Sequence, residues 1–203
     1  MTPIRLYTWS TPNGRKASIM LEEVGLRYTV TAVDISKGGS QTPEFLALKP
    51  NGKIPVIEDP DAGRTVIESG AILLYLAERS GTLVPGAGDR TLEWMFFQAA
   101  HVGPMLGQLG YFKNFAPEKI PAAIERFDKE CARILRVLDT RLSHSAHLGA
   151  EAFGLADIMT WPWINAGRER LGLDFSALQS LSRWFAAVGE RPAVRRGMQV
   201  PAT

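Results

Sequence analysis

"IPVIEDPDAGRTVIESGAILLYLAERSG", residues 54–81, decides the fold. "IPVIED" and "RTVIES" are short β-branched runs either side of "PDAG", a turn sequence, so they read as paired strands. "SGAILLYLAERSG" follows as a helix, capped by Ser69 and stopped by Gly81. Upstream, Ile4 and Leu6 alternate with Arg5 and Tyr7 at the strand period of two. Ala17, Met20, Leu21 and Val24 then line one face of a helix that ends at Gly25. "YTVTAVD" (28–34) is β-branched and aromatic, a strand, and "TPEFLAL" (42–48) is a short helix opened by Thr42 and Pro43. The order β-α-β-α-β-β-α predicts an α/β domain: a parallel β-α-β unit, then a hairpin and a covering helix.

"TLVPGAGDR" (82–90) is rich in glycine and proline and reads as the connection between domains. Beyond it the strand period disappears. Ile124, Phe127, Cys131, Ile134, Leu135, Leu138 and Leu142 recur at gaps of three and four, which predicts one long helix. "LADIMTWPWINAGRERLG" predicts another, and Leu178, Leu181, Trp184, Phe185 and Val188 a last one. The expected organisation is an α/β domain at 1–81, a linker at 82–88 and an all-α domain at 89–203.

Composition narrows the function classes. Lysine and arginine number 23 against 21 acidic residues, a net charge of +2 with no basic run, so neither a nucleic-acid nor a membrane footprint is expected. The longest apolar run, around "AILLYLA", is too short to cross a bilayer. "MTPIRLYTWS" has no charged leader before an apolar core, and Cys131 is the sole cysteine, so the expectation is a cytoplasmic protein without internal disulfides. "WSTPNGRK" (9–16) follows the first strand and opens the first helix. Thr11 suits the N-cap and Pro12 the first helical position; such a helix start also holds an anion.

"TPNG", "PEF", "NGKIP", "ESGAILLYLAE", "GPMLGQ", "AIERF" and "ADIMTWPWIN" occur in this order along nearly the whole chain. With them the chain resembles the cytosolic glutathione transferases, and within these the nu-class branch, which includes bacterial glutathione-dependent disulfide-bond oxidoreductases. The resemblance implies the glutathione transferase fold: a thioredoxin-like N-terminal domain followed by an all-α domain. It also implies a homodimer, glutathione or glutathione disulfide as cosubstrate, and no metal.

The resemblance assigns the γ-glutamyl end of glutathione to Glu68 and Ser69, and the cysteinyl backbone to Ile54 beside a cis bond to Pro55. Lys53 is implied for the glycyl carboxylate and Arg126 of "AIERF" for a contact across the dimer. Near Ser40 some relatives carry glutamine or histidine instead. Thioredoxin-type redox proteins place Trp-Cys-x-x-Cys where this chain has Trp9-Ser10-Thr11-Pro12-Asn13. Hydroxyl and amide stand where thiols would, so the reacting sulfur has to arrive with the ligand. Thr11 and Asn13 fit the nu-class pattern as thiolate donors; Ser10 fits the serine of theta- and delta-like relatives, and the sequence does not choose between Ser10 and Thr11. Tyr7, the counterpart of a tyrosine used in other classes, sits too early relative to the turn. Trp9, Phe97, Tyr111, Phe112 and Trp161 read equally as core or as a lining for the second substrate.

Three other features read as structure. Cys131 lies on the apolar face of the long helix and reads as a buried structural thiol. His144 and His147 form H-x-x-H in a loop, and His101 lies within a helix. Asp157 follows Gly154 by three residues in a helix-capping arrangement that belongs to folding. The expected activity is glutathione-dependent disulfide reduction. Conjugation of glutathione to an electrophile and a non-catalytic glutathione-binding module are the alternatives on the same fold.

Overall fold

The computed structural model describes residues 2–202. The chain divides into two compact units, Met1–Val84 with Glu190–Thr203, and Pro85–Gly189.

The first unit carries strands β1 (Ile4–Thr8), β2 (Tyr28–Ala32), β3 (Val56–Asp59) and β4 (Arg64–Ile67), with helices α1 (Pro12–Val24), α2 (Pro43–Leu48) and α3 (Ser69–Ser80). The sheet order is β2-β1-β3-β4. β1 and β2 run parallel with Ile4 opposite Tyr28, as a crossover through a helix requires. β3 runs antiparallel to β1, and β4 antiparallel to β3, with Leu6 opposite Ile57 and Ile57 opposite Val66. Those inward residues meet Ile19, Met20 and Leu21 of α1 and Ile72, Leu73 and Leu76 of α3, all buried. Each such side chain contributes about 1.5–3 kcal/mol on burial. Thr11 caps α1 by accepting from the Gly14 N–H at 3.2 Å, and Gly25 ends it in the left-handed region at φ 66°.

α3 departs from the sequence expectation at its start. Ser69 is its first residue, and the cap position falls to Glu68, which makes no side-chain capping bond. The Ser69 hydroxyl is instead held from α1 by Lys16.

The second unit is helical: α4 (Thr91–Phe97), α5 (Gly103–Gly110), α6 (Pro121–Ser143), α7 (Leu155–Leu171) and α8 (Gln179–Gly189), with π-helical turns at Gln98–Val102 and Tyr111–Phe115. Cys131, Ile134, Leu135, Leu138 and Leu142 form the buried stripe of α6. Asp157 is fully buried at the start of α7, where it accepts from the Gly154 and Leu148 N–H groups and from Trp184 Nε1 at 2.7 Å. Trp161 is core: its indole N–H donates to the Phe185 carbonyl at 2.9 Å and its ring stacks on Phe185. Among the described residues no helix is long and apolar enough to cross a membrane.

A last short helix, α9 (Pro192–Gly197), does not join the second unit, although residues up to 203 were expected in the all-α domain. It packs on α1. The Ser18 hydroxyl donates to the Gly197 carbonyl at 2.7 Å, and Arg191 grips Glu23 with two bonds of 2.7 and 2.8 Å. A side chain at Gly197 would lie 2.5 Å from Ile19 Cα, so only glycine permits this approach.

Candidate functional site

Three segments of the first unit converge: the start of α1, the "KIP" stretch and the corner before α3. An apolar cluster ties the first two. Val33, Phe45, Ile54 and Val56 are buried together, with Tyr7, Trp9 and Leu48 packed against them. A polar contact ties the first and third, since Lys16 Nζ lies 3.4 Å from Ser69 Oγ.

At the start of α1 the chain doubles back sharply. The Thr11 N–H donates to the Trp9 carbonyl at 2.7 Å. A Cβ on Gly14 would sit 2.2 Å from that carbonyl oxygen and 2.4 Å from Thr8 Oγ1, so the "NG" step is required for the turn to close. The Thr11 oxygen accepts the Gly14 N–H. Its own hydrogen is thereby left to donate elsewhere, and the helix start adds partial positive charge. Asn13 stands half-buried within the first turn of α1. Ser10 Oγ and Thr8 Oγ1 are buried without a hydrogen-bond partner. Buried hydroxyls without a partner are uncommon in folded proteins.

Tyr7 is committed elsewhere. Its hydroxyl donates to Glu58 Oε2 at 2.6 Å, and that carboxylate, with burial, raises the phenol above its ordinary value.

The Ile54–Pro55 bond is cis, and both residues are buried. Lys53 is exposed beside them. The turn before Lys53 is held by Gln41, whose amide donates to the Gly52 carbonyl at 3.2 Å and to Ser40 Oγ at 3.3 Å.

At the third segment Glu68 adopts φ 68° and ψ 122°, a conformation that non-glycine residues rarely take. Backbone held this way costs about 1–3 kcal/mol and persists where its surroundings enforce it. The Glu68 side chain is held by Lys49, whose Nζ lies 2.9 Å from Glu68 Oε1. Burial pulls the Lys16 ammonium down to about 7, partly offset by the Glu68 charge. The corner therefore gathers one carboxylate, one hydroxyl and two lysines at a helix N-terminus, donors and acceptors suited to an amino-acid zwitterion.

Lys16, Lys49 and Gln41 are absent from the sequence expectation. Lys16 had a legible signal: it precedes Met20 by four residues and so interrupts the apolar face of α1. Lys49 and Gln41 had none: Glu68 and Gly52, which they hold, lie 19 and 11 residues further along the chain. Arg126 lies exposed on α6 in the second unit; Glu130 on the same helix is held below the ordinary carboxylate value chiefly by its hydrogen bond to Arg133, with Arg126 adding the smallest share. Cys131 is buried, and its thiol is pushed up to about 12 by burial and by Asp128 and Glu130. His147 Nδ1 is 2.9 Å from the Glu151 carbonyl, and no cluster of metal-ligating side chains exists among the described residues.

Residues 2–78 match the family model of the glutathione S-transferase N-terminal domain, and residues 102–192 that of the C-terminal domain. The disulfide-bond oxidoreductase YfcG of Escherichia coli is 43% identical over 203 aligned residues, spanning 96% of this chain and 94% of that protein. A glutathione transferase homolog from Lodderomyces elongisporus, solved with two glutathione molecules per subunit, is 36% identical. It superposes with a TM-score of 0.93 over 99% of this chain and 100% of its own. A glutathione transferase from Pseudomonas putida, solved with one glutathione disulfide per subunit, is 38% identical with a TM-score of 0.89, covering 98% and 92%.

Proposed function

The chain belongs to the glutathione S-transferase family, and from that premise we propose that it is an enzyme that activates the glutathione thiol for disulfide reduction. One observation carries the reading: the only cysteine is buried with its thiol pushed up to about 12, while a helix start bearing hydroxyl and amide side chains stands where a redox protein keeps its thiols.

Glu68 and Ser69 take the γ-glutamyl end, the carboxylate of Glu68 meeting the ligand's ammonium and Ser69 its carboxylate. The Ile54 backbone faces the cysteinyl part and Lys53 the glycyl carboxylate. Arg126 contributes a contact from a second copy of the chain in a homodimer. Leu92 and Phe96, exposed one turn apart on α4, give such a dimer apolar surface to cover. These assignments join what the family implies to the side chains gathered at the site.

Thiol activation is within reach of this geometry. A thiol with a pKa of about 8.5 is roughly 3% ionised at pH 7, and lowering the pKa by about two units needs about 2.7 kcal/mol. A helix start supplies about 0.3–1 kcal/mol, rising to about 2 when partly buried. One hydrogen bond to the charged sulfur, from Thr11, Asn13 or Ser10, adds about 1.5–3 kcal/mol.

The thiolate attacks one sulfur of the substrate disulfide. A mixed disulfide with glutathione forms and one substrate thiolate leaves, taking a proton from water. A second glutathione thiolate attacks the glutathionyl sulfur, which releases the other substrate thiol and forms glutathione disulfide. Two glutathione molecules are oxidised for each disulfide reduced, and no protein thiol is consumed.

Turnover of hydroxyethyl disulfide with glutathione, and none with an aryl halide, is the expected result. Turnover only of the halide makes the enzyme a conjugating transferase. Binding of glutathione with neither turnover makes it a binding module.

A further inference from the structure

We infer that Lys16 is a positioning residue of the γ-glutamyl subsite: its ammonium fixes the Ser69 hydroxyl as a donor and supplies the positive charge opposite the ligand's α-carboxylate. The inference rests on the reading of the Glu68–Ser69 corner as that subsite.

The geometry is specific. Lys16 is a lysine 2% exposed in the first half of α1, aimed at Ser69 Oγ from below the start of α3 at 3.4 Å. An alkylammonium has three hydrogens and no lone pair, so toward Ser69 it acts only as a donor. The Ser69 oxygen accepts, and its hydrogen is turned away from the positive charge, toward the open side of the corner. A serine without that neighbour would be free to donate or accept. Charge balance points the same way. Lys49 already pairs with Glu68 at 2.9 Å, so those two charges offset one another. A zwitterionic ligand adds one ammonium and one carboxylate. The ammonium finds the outer oxygen of Glu68; the carboxylate finds neutral donors and, 3.4 Å behind the Ser69 hydroxyl, Lys16.

The environment makes the charge conditional. α1 packs against α3, α9 and β1. On the α3 side Glu68 acts on Lys16 directly and offsets part of the effect of burial. Tyr75 and Arg79 of α3 are bound to Asp59, and Glu78 completes its charged set. On α9, Arg195 and Arg196 are paired with Glu190 and Glu22, and Arg191 with Glu23. On β1, Arg5 and Tyr7 both meet Glu58. On α1 itself the charged residues are Arg15, Glu22 and Glu23. With burial dominant, the ammonium loses its proton near pH 7. The neutral amine has a lone pair, so the Ser69 hydroxyl then rotates to donate inward and is lost to the ligand. Carboxylate binding therefore weakens as pH rises through 7, a direction opposite to the ionisation of the bound thiol.

S-methylglutathione separates the two effects, because its sulfur cannot ionise. Its dissociation constant is measured by calorimetry from pH 5.5 to 9.5 for the wild-type protein, K16M and K16R. Titration of the ligand's own ammonium is common to all three and cancels in the ratio. Wild type should bind about tenfold tighter than K16M at pH 6, the scale of one charge-assisted hydrogen bond. The ratio should fall toward one by pH 9. K16R, charged throughout, should keep its advantage across the range. S69A supplies a second test without touching the lysine: the decline in its affinity between pH 6 and 8 should be shallower than in wild type, leaving only the part that comes from the Lys16 charge. A K16M ratio that is flat in pH, or equal to one at pH 6, overturns the inference alone. Failure of folded wild-type protein to bind either glutathione or the probe at any pH overturns the site reading with it.

Discussion

Lys49 and Glu68 form an ion pair of unequal halves: the nitrogen and Oε1 are 2.9 Å apart, with the lysine side chain 2% exposed and the glutamate 65% exposed. A buried cation reaches up and holds an exposed anion by one oxygen. The other oxygen stays on the open side, and the carboxylate sits on a residue whose backbone takes the uncommon φ of 68°.

Lys49→Met should therefore loosen Glu68 without disturbing the thiol region. The expected outcome is a KM for glutathione raised about tenfold, equivalent to ~1.4 kcal/mol, with kcat at saturation nearly unchanged. Steady-state kinetics with varied glutathione decide it. An unaltered KM would assign Lys49 to the fold alone.

Ser10, Thr11 and Asn13 can be told apart because only one of them caps α1. Thr11→Ala removes the bond to Gly14 and should cost about 1 kcal/mol, lowering Tm by about 2–4 °C. Asn13→Ala and Ser10→Ala leave the cap in place. Whichever of the three contacts the sulfur should move the pH–rate midpoint upward by about one unit or more. A profile that does not shift in Asn13→Ala removes Asn13 from thiol activation.

Cys131 offers a negative control. Its thiol, pushed up to about 12, stays neutral at pH 8, and it is closed off within the second unit. Folded protein should resist alkylation at pH 8 and label only on denaturation. Cys131→Ala should retain disulfide reductase activity. Rapid labelling of the native protein, or loss of turnover in a variant with normal Tm, would refute a purely structural thiol.

Lys16 carries a stability cost with a definite sign. Its ammonium titrates near 7 in the fold against 10.5 ordinarily, so between those values the unfolded chain holds a proton that the folded chain lacks. Stability consequently rises with pH across that window, and below pH 7 the fold bears the full cost of burying the charge. Lys16→Met should raise Tm at pH 6 by several degrees, at ~1.4 kcal/mol per unit of displaced pKa, and the gap should close toward pH 10. Thermal unfolding at pH 6, 8 and 10 checks the order.

What could be read from the sequence follows the range of the interactions involved. The Thr11–Pro12 start, the Gly25 and Gly81 stops and the hairpin around "PDAG" are local, and each stands where the residues place it. Ser69 as a cap was also a local reading; the cap position falls to Glu68, and the Ser69 oxygen meets a lysine 53 residues earlier in the chain. Asp157 shows both sides: its bond to Gly154 is three residues long and legible, while those to Leu148 and Trp184 depend on packing. The union of Lys16, Lys49, Glu68 and Ser69 draws on three separate stretches of chain, beyond any motif or period. α9 escaped notice because six residues opened by a proline carry too little periodicity to announce a helix.

That small helix has a practical corollary for anyone dissecting the gene. An excised sensor built from Met1–Val84 alone would leave bare the flank of α1 on which Gly197 rests. Residues 190–203 would have to be spliced back behind residue 84 to furnish a minimal portable receptor.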